Sequence, residues 1–363
     1  MKILTVLGTR PELIRLSRVI PLLDSLCVHK VVHTGQNFDV NLNDIFFSEL
    51  EIRPPDHALG VEFSTTFEQI GKTLMACEKV LQDEKPDRFL TLGDTNSALS
   101  AIVAKKFGVP VFHMEAGNRC FNDKSPEEIN RRLVDHSSDI LMPYTERSRA
   151  NLLAEGIPSR RIFVTGNPIF EVLEHYKDGI ENSGILDSLS LEPGKFFLVT
   201  LHRAENVDGQ ERLESYISAF QRLHRDYGYP VICSVHPRTR SRLEKASVAL
   251  NGGGVTGMDP FGFFDFVKLE KNAFCVLTDS GTVQEECAIF NVPSVILRDF
   301  QERPETVEAG SAVISGARPE AITLAVKAAT QIAPTWKSPP EYGVRNVSHT
   351  VAKILCSHFG LNR

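Results

Sequence analysis

The stretch KILTVLGTRPE, residues 2–12, joins a short apolar run to a polar turn and the start of a helix. Residues 2–7 are aliphatic and partly β-branched, which is typical of a buried strand in a parallel sheet. Gly8 permits a tight turn after that strand, and Pro11 suits the first position of a helix. The stretch therefore predicts a strand–turn–helix unit with Arg10 at a helix N-terminus, where anions bind. A helix start with a solvated Arg10 is the alternative.

Short apolar runs and stretches of helical period alternate along most of the chain. The predicted strands lie at 2–7, 30–34, 88–92, 110–114, 139–142, 162–165, 196–200, 230–235, 274–277 and 293–297. The predicted helices lie at 11–25, 64–83, 96–107, 126–137, 145–154, 209–226, 261–270, 281–290, 305–310 and 318–331. This alternation predicts an α/β fold, in which helices cover both faces of parallel sheets.

The length of 363 residues exceeds what one ordinary core holds, so two α/β domains are expected. The alternation is interrupted by the polar sequences ENSG and LEPG before a new buried strand begins at residue 196. We therefore predict one Rossmann-like domain at 1–168 and a second at 169–344. Open parallel sheets bind ligands beyond the carboxyl ends of their strands, so two such sheets facing each other would hold a ligand in a cleft.

The composition argues against several classes of protein. Hydrophobic residues make up 42% and charged residues 24% of the chain, which is an ordinary globular balance. The net charge is −6 and no basic stripe is present, so no nucleic-acid partner is expected. No apolar run is long enough for a signal peptide or a membrane span, which predicts a cytoplasmic protein with no membrane partner.

The sequence also lacks the motifs of common metal and redox sites. Its seven cysteines are scattered and form no CxxC pair, so neither a zinc site nor a disulfide framework is expected. Free thiols in a reducing compartment are the better interpretation. No GxGxxG follows the first strand, which argues against a nicotinamide cofactor. The sequence thus predicts no metal and no cofactor.

Three carboxylates stand at positions where catalytic groups of α/β proteins are found. Asp94 and Glu115 each follow a predicted strand of the first domain, and Glu127 lies in the first turn of a predicted helix. Asp94 could instead cap the next helix, and Glu127 could simply complement a helix dipole. Carboxylates brought close together raise one another's pKa, which suits proton abstraction from carbon and its return.

The second half of the chain supplies cations and hydrogen-bond donors. His202 and Arg203 follow one predicted strand, and His236 follows the next. A single histidine is more often structural than catalytic. Two strand-end clusters of this type, opposite acidic clusters in the other domain, favour an anion-binding role.

The sequence TDSGTVQEE, residues 278–286, enters a helix whose first N–H groups can bind a phosphate. Ser280 and Gly281 stand at the start of that helix, and Glu286 is placed one turn later, within reach of ribose hydroxyls. Arg303 begins an Arg-Pro-Glu sequence that repeats residues 10–12.

Nine short motifs occur in a fixed order along essentially the whole chain. They are GTRPE at 8–12, GDT at 93–95, EAG at 115–117, PEEINR at 126–131, TGN at 165–167, HR at 202–203, TDSG at 278–281, QEE at 284–286 and ERPE at 302–305. Together they resemble the non-hydrolysing UDP-N-acetylglucosamine 2-epimerase family, which has the GT-B architecture of two Rossmann-like domains with parallel sheets facing across a cleft. Each motif alone is weak, whereas nine in register are specific.

The resemblance implies a reaction and a set of site residues. In this family UDP is eliminated across C1–C2 of the sugar, and the resulting 2-acetamidoglucal takes UDP back with the proton on the opposite face. The implied catalytic residues are Asp94, Glu115, Glu127 and His202. The implied substrate contacts are Arg10, Arg15, Arg131, Arg203, His236, Phe266, Ser280, Gly281, Glu286 and Arg303, with Glu286 on the ribose and Phe266 on the uracil.

The family also implies an assembly and a cellular role. A homodimer formed through the first domain is expected, together with a C-terminal helix within 345–363 that packs back on that domain. The partner molecule would be a UDP-linked 2-acetamido sugar used in making precursors of surface polysaccharides.

The chain departs from the usual family pattern at several positions. Arg15 stands where the family usually has Lys, Ala204 where it has a second Arg, and Leu201 and Thr282 where it has Gly. The sequence TGQNFD at 34–39 stands where members activated by UDP-N-acetylglucosamine carry a Gln-rich stretch.

Three segments, IRLSR at 14–18, HTGQN at 33–37 and EAGNRCF at 115–121, look closer to one branch of the family. That branch forms UDP-N-acetyl-L-fucosamine from UDP-2-acetamido-2,6-dideoxy-L-talose. Three further alternatives are a hydrolysing epimerase, which would release free sugar, a GT-B glycosyltransferase, which would need an acceptor, and an inactive sugar-nucleotide sensor.

Overall fold

The computed structural model describes residues 1–36, 40–61, 63–123, 125–332, 335–357 and 359–360. The chain forms two compact units: the first contains Met1–Glu174 and Glu341–Arg363, and the second contains His175–Pro340. The division predicted from the sequence was placed at 168/169 and at 344/345. Part of the TGQNFD segment, residues 37–39, lies outside the described residues.

The first unit is built on a parallel sheet. Its strands are β1 (Lys2–Leu7), β2 (Val28–His33), β3 (His57–Ala58), β4 (Arg88–Leu92), β5 (Val111–Met114) and β6 (Ile140–Met142), in the spatial order β3-β2-β1-β4-β5-β6. Its helices are α1 (Arg10–Leu16), α2 (Val19–Leu26), α3 (Val40–Glu49), α4 (Thr66–Glu84), α5 (Ser100–Lys106), α6 (Pro126–Ser137), α7 (Glu146–Ala154) and α8 (Ile169–His175), with 3-10 turns at Asn96–Leu99 and Ser159–Arg161.

The second unit repeats this plan. Its strands are β7 (Phe197–Leu201), β8 (Val231–Val235), β9 (Val255–Met258), β10 (Cys275–Thr278), β11 (Ser294–Ile296) and β12 (Ala312–Ile314), in the spatial order β12-β11-β10-β7-β8-β9. Its helices are α9 (Lys177–Glu181), α10 (Ile185–Ser188), α11 (Ala204–Val207), α12 (Gln210–Tyr227), α13 (Pro237–Lys245), α14 (Phe263–Asn272), α15 (Gly281–Phe290), α16 (Pro304–Ala309) and α17 (Pro319–Gln331).

One further helix, α18 (Val347–Cys356), packs on α2 of the first unit. Arg88, at the start of β4, donates hydrogen bonds to the carbonyls of Leu355 and Ser357 at the end of α18. The chain therefore returns to the first unit after completing the second.

The central strands are buried on both faces, because helices lie over each side of the sheet. All five residues of β7 and all four of β5 and β10 are buried, which explains why these runs are mostly apolar. The predicted α/β class with two parallel sheets is confirmed. All seven cysteines are free thiols, as predicted. Among the described residues no helix is both long and apolar enough to cross a bilayer.

Two predicted elements are wrong. The strand at 162–165 is reduced to an isolated bridge between Ile162 and Leu141, with the Phe163 and Thr165 N–H groups donating to the carbonyls of Leu141 and Pro143. The ladder stops there because Pro143, next after β6, has no N–H to donate.

The helix predicted at 11–25 is divided between α1 and α2 at Ser17 and Arg18. Pro21 explains the division, because its ring would clash with the carbonyl four residues earlier, which is that of Ser17.

Candidate functional site

The carboxyl ends of β1, β4 and β5 lie side by side in the first unit, and polar loops leave the sheet there. In the parallel pairing of β4 with β5, Leu92 is opposite Met114, and the Gly93 N–H donates to the Met114 carbonyl over 3.0 Å. The next residues along the two chains are Asp94 and Glu115. These two predicted catalytic residues are thus brought to one edge of the sheet.

Glu115 is held by a buried arginine. Its Oε2 lies 2.5 Å from Nη1 of Arg15, which is 2% exposed, and the Arg15 guanidinium lies 5.5 Å above the Tyr144 ring. The Glu115 backbone has φ +64°, in the left-handed region that is costly for a non-glycine residue. A Cβ placed on Gly93 would lie 3.7 Å from Glu115 Oε2, so this carboxylate reaches the loop that carries Asp94.

Asp94 is held by a second buried arginine. Arg131 on α6 places Nε 2.8 Å and Nη2 2.7 Å from Asp94 Oδ2. The neighbouring Asn130 donates to the Asp94 carbonyl over 2.9 Å. Asp94 therefore pairs with α6, and the N-cap residue of the turn that begins with Asn96 is Thr95.

Glu127 and Glu128 open α6 but differ in surroundings. Glu127 is half-buried and accepts a hydrogen bond from the Ser125 hydroxyl over 2.7 Å. Glu128 is fully buried and accepts from the backbone N–H groups of Cys120 and Phe121. Burial opposes ionisation of Glu128, but these hydrogen bonds and the Arg131 guanidinium lower its pKa below the usual value. Glu128 thus anchors the 120–121 loop, whereas Glu127 stays accessible.

A buried histidine joins the elements that carry these carboxylates. His113 Nδ1 lies 2.8 Å from Asp135 Oδ1 on α6, and Nε2 lies 2.8 Å from the Gly93 carbonyl. Asp135 also accepts from the Gly117 N–H and contacts Arg119 at 2.8 Å. Both partners of the imidazole are acceptors, so holding both contacts requires a proton on each ring nitrogen. The β4 loop, the β5 loop and α6 are thereby fixed together.

Glu12 connects the turn after β1 to the turn after β4. It accepts hydrogen bonds from the Gly8 N–H, the Thr9 hydroxyl and the Thr95 hydroxyl, at 3.0, 2.8 and 3.0 Å. Burial raises the pKa of Glu12 to about 7, even though these hydrogen bonds act in the opposite direction. Arg10, at the start of α1, lies over the Phe46 ring at 5.6 Å.

Gly8 makes this turn possible because no side chain fits there. A Cβ on Gly8 would stand 2.1 Å from the Ser97 hydroxyl and 2.2 Å from the Thr34 hydroxyl, which hydrogen-bond each other. The close approach of three segments at this point requires glycine.

In the second unit the carboxyl ends of β7, β8 and β10 carry His202, His236 and Asp279. Asp279 is fully buried, and its Oδ1 lies 3.0 Å from His202 Nδ1. Its Oδ2 accepts from the N–H groups of His202 and Arg203 and from the Asn206 amide. Burial opposes ionisation, but His202 and these donors hold the pKa of Asp279 well below its usual range.

The carboxylate of Asp279 can only accept, so Nδ1 of His202 carries the proton of this contact and Nε2 is the other ring nitrogen. His236 caps α13 by accepting from the Arg238 N–H, and its ring lies 6.1 Å from that of His202. The two predicted histidines are therefore neighbours.

The start of α15 is surrounded by buried charges. Ser280 is the N-cap residue but makes no side-chain cap, and its hydroxyl pairs with that of Thr282. A Cβ on Gly281 would lie 3.4 Å from the Arg303 guanidinium, which hydrogen-bonds the buried Glu285. Cation and helix N-terminus thus meet at one point, an arrangement that suits a phosphate.

A second ionic cluster lies in the same unit. Glu302 is buried and contacts Arg203 at 3.2 Å and Arg298 at 2.8 Å. Arg298 also contacts Glu205 at 2.9 Å and lies over the Phe300 ring. These carboxylates balance the arginines and fix their positions.

Glu286 and Phe266 lie on adjacent helices. Glu286, on α15, is 5% exposed, and Phe266, on α14, is half-buried against the apolar core of the unit. The sequence did not reveal buried charged groups of the site such as Glu12 and His113, because a charged residue inside a helix or a strand has no distinctive spacing. Among the described residues, no group of three His, Cys, Asp or Glu side chains could hold a metal ion.

Comparison with known proteins gives consistent matches over nearly the whole chain. A model of the family described as UDP-N-acetylglucosamine 2-epimerase matches residues 24–356. The chain is 40% identical to the UDP-N-acetylglucosamine 2-epimerase of Methanocaldococcus jannaschii, over 98% of its own length and 99% of the relative. It is 37% identical to the UDP-2,3-diacetamido-2,3-dideoxy-D-glucuronate 2-epimerase of Pseudomonas aeruginosa, over 98% of its length and 99% of the relative.

Solved structures give the same picture. The UDP-N-acetylglucosamine 2-epimerase of Rickettsia bellii superposes with a TM-score of 0.91 at 42% identity, covering 99% of this chain and 96% of that one. The Methanocaldococcus jannaschii enzyme in complex with UDP-GlcNAc and UDP superposes with a TM-score of 0.93 at 40% identity, covering 98% and 99% of the two chains. The GT-B architecture is shared with these structures.

Proposed function

Because the chain belongs to the UDP-N-acetylglucosamine 2-epimerase family, we propose that it interconverts UDP-N-acetylglucosamine and its C2 epimer. An epimerase is an isomerase, and the chain is an enzyme of that class. We further propose that the product serves the synthesis of surface polysaccharides.

The proposed reaction has two halves. A carboxylate of the first unit removes the C2 proton as the C1–O bond breaks and UDP leaves with the bonding electrons. The enzyme then returns a proton to the opposite face of C2 of the 2-acetamidoglucal, and a diphosphate oxygen attacks C1 again. Atoms balance without an added oxidant, reductant or co-substrate.

The observation that carries this proposal is the pairing of carboxylates with buried arginines at adjacent strand ends. Arg131 orients Asp94 and Arg15 orients Glu115. We assign proton removal and return to these two carboxylates and the accessible Glu127, because proton transfer needs groups held within reach of one carbon.

The second unit is assigned the nucleotide. The diphosphate gains charge as the C1–O bond breaks, and prepositioned donors stabilise such charge without reorganising. The start of α15 with Ser280, Gly281 and Arg303 supplies donors, and His202 is oriented by Asp279 to meet the leaving oxygen through Nε2. Glu286 is assigned to the ribose and Phe266 to the uracil. Arg10, Arg203 and His236 are assigned to the substrate as further contacts.

A second candidate substrate is favoured by particular residues. Arg15, where Lys is usual, contacts Glu115, and the EAGNRCF segment resembles the branch that forms UDP-N-acetyl-L-fucosamine. The same chemistry on UDP-2-acetamido-2,6-dideoxy-L-talose is therefore the alternative.

Proton NMR of the enzyme with UDP-N-acetylglucosamine in D₂O, without added metal or nicotinamide cofactor, tests the proposal. The expected result is deuterium at C2 in the substrate and in a second UDP-sugar. Exchange only with the 6-deoxy-L sugar would replace the first substrate by the second. Free sugar would indicate a hydrolysing epimerase. Absence of exchange with both sugars would contradict the proposed chemistry, and sugar transfer to an acceptor would then indicate a glycosyltransferase.

A further inference from the structure

His113 is a buried histidine of β5 to which the proposed reaction assigns no role. Its Nε2 lies 2.8 Å from the carbonyl oxygen of Gly93, and its Nδ1 lies 2.8 Å from Oδ1 of Asp135. The residue is 1% exposed, so its ring is out of reach of a substrate. What the ring holds is the peptide unit that leads directly into Asp94.

The peptide units on both sides of the Asp94 Cα are held by side chains. The Gly93 carbonyl, which contacts His113, belongs to the same planar unit as the Asp94 N–H. The next carbonyl along the chain, that of Asp94 itself, accepts from the Asn130 amide over 2.9 Å. With both planes held, the two soft dihedral angles of the Asp94 backbone are fixed, and they set the direction in which its side chain leaves the chain.

The surroundings of His113 favour a ring that carries two protons. A carbonyl and a carboxylate can only accept, so each of the two contacts needs a proton from the ring. Asp135 also contacts Arg119 at 2.8 Å, and Arg119 contacts Glu155 at 2.6 Å. These two carboxylates outnumber the one guanidinium, and a cationic His113 balances their charge. Burial opposes ionisation of Asp135, but His113 and Arg119 lower its pKa below the usual value.

A second buried histidine of the same sheet provides a contrast. His29, near the amino end of β2, places Nδ1 2.7 Å from Asp24 Oδ1 and Nε2 2.8 Å from the Thr5 hydroxyl. A hydroxyl can donate as well as accept, so a single ring proton satisfies both of these contacts. Burial lowers the pKa of His29, which favours this neutral ring. The two histidines therefore differ in the group that meets Nε2 and in the end of the sheet at which they act.

We propose that His113, held as a cation by Asp135, is a positioning residue for the proton transfer at C2, because its hydrogen bond to the Gly93 carbonyl fixes the backbone from which Asp94 reaches the sugar. This inference rests on the proposed function, since it needs Asp94 to exchange the C2 proton. His113 itself does not touch the ligand.

Two substitutions separate the two hydrogen bonds of His113. The amide nitrogen of Asn is as many bonds from Cβ as Nδ1, and that of Gln is as many as Nε2. His113→Asn can keep the Asp135 contact but loses the Gly93 contact, so we expect kcat for C2 exchange to fall by about 10- to 100-fold. His113→Gln can keep the Gly93 contact, so its kcat should exceed that of His113→Asn by about tenfold. The dissociation constant for UDP, measured by calorimetry, should stay nearly unchanged in both variants.

His29→Asn and His29→Gln are the matched controls, and both should leave C2 exchange in D₂O nearly unchanged. An equal loss of exchange in the Asn and Gln variants of His113, or a similar loss in the His29 variants, would mean a merely structural role. Wild-type exchange in His113→Asn would mean no role. A wild type without any exchange would instead contradict the proposed function, and the inference would fall with it.

A further measurement uses the wild type alone and does not depend on any variant folding. NMR of the enzyme labelled with nitrogen-15 and carbon-13 assigns each imidazole through couplings to its own backbone. At neutral pH the ring of His113 should carry a proton on each nitrogen, whereas the ring of His29 should carry one. A single proton on the His113 ring would show that one of its two contacts is not made, and the inference would be wrong.

Discussion

At the scale of single residues, charged groups of this protein are fixed by buried partners of opposite charge. Arg131 and Arg15 hold Asp94 and Glu115, and Asp279 is held by His202 and three donors. A carboxylate oriented by a buried guanidinium loses little entropy when it meets a substrate.

Asp94→Asn keeps the size of the side chain but removes the base. We expect kcat for C2 proton exchange to fall by about 10²–10⁴-fold, while the dissociation constant for UDP stays nearly unchanged. Exchange in D₂O and calorimetry measure the two quantities. Asp123→Asn is the matched control, because Asp123 is exposed and pairs with Arg132 on the surface. Wild-type exchange in Asp94→Asn would contradict the catalytic assignment.

Glu12 predicts a dependence of stability on pH. Its pKa is raised from 4.5 to about 7 in the folded protein, so the folded state binds this proton more tightly than the unfolded state. The resulting stabilisation is present below pH 4.5 and is lost as the pH rises towards 7. The free energy of unfolding of wild type, relative to Glu12→Gln, should therefore fall by up to about 3 kcal/mol across this window. Urea unfolding at several pH values measures this difference, and parallel curves would contradict it.

At the scale of elements, the glycines differ in how much space surrounds them: some lie where other segments pack too closely for a side chain, and others lie in open space. Gly8→Ala would place a methyl carbon against the hydroxyls of Ser97 and Thr34, so we expect a loss of about 1–3 kcal/mol in unfolding free energy. Gly71 lies inside α4, and in the described part of the chain no atom beyond the adjacent backbone of that helix lies within 4 Å of a Cβ at this position. Gly71→Ala should therefore stabilise the protein by about 0.5–1 kcal/mol. Thermal or urea unfolding measures both, and equal effects of the two substitutions would contradict this packing.

The sequence predicts the buried elements better than the edges of the sheets. Central strands such as β1 and β7 can be predicted because their sequences are mostly apolar. The strands β3, β9 and β12 were missed, because they are short, lie at sheet edges and contain few residues buried on both faces. The local sequence pattern also predicted a strand at 162–165, where Pro143 accepts a hydrogen bond from Thr165 but has no N–H to donate in return.

The candidate site was predictable only in part, for a related reason. Polar residues directly after strands, such as Asp94 and His202, are visible in a single sequence. The buried groups that fix their loops are not, because His113 lies within a strand and Glu12 within a helix, where a charged residue has no distinctive spacing. Only the folded contacts reveal that these groups hold the others.

At the scale of the whole molecule, a chain of net charge −6 is proposed to bind a diphosphate without a basic surface. The arginines near the start of α15 are buried or half-buried and matched by glutamates, as in the contacts of Glu302 with the half-buried Arg203 and the buried Arg298. Affinity for the anion then comes from a few placed donors.

Substitutions in the second unit should therefore affect UDP binding, and substitutions in the first unit should affect proton exchange at C2. Glu286→Ala, in the second unit, should weaken UDP binding about tenfold or more, whereas Asp94→Asn, in the first, should slow exchange by the factor given above and leave UDP binding nearly unchanged. Calorimetry and exchange rates on both variants form the comparison. UDP affinity lost equally in both variants would contradict this division of roles.

The discontinuous first unit also constrains how the protein is made. A ribosome completes residues 1–174 long before it reaches α18, and the whole second unit emerges in between. Domains generally fold as units during synthesis. The second unit can therefore complete its folding before α18 is made, while the apolar face of α2 is still uncovered. The unit begun first is the one finished last, and chaperones would meet that uncovered face on every nascent chain.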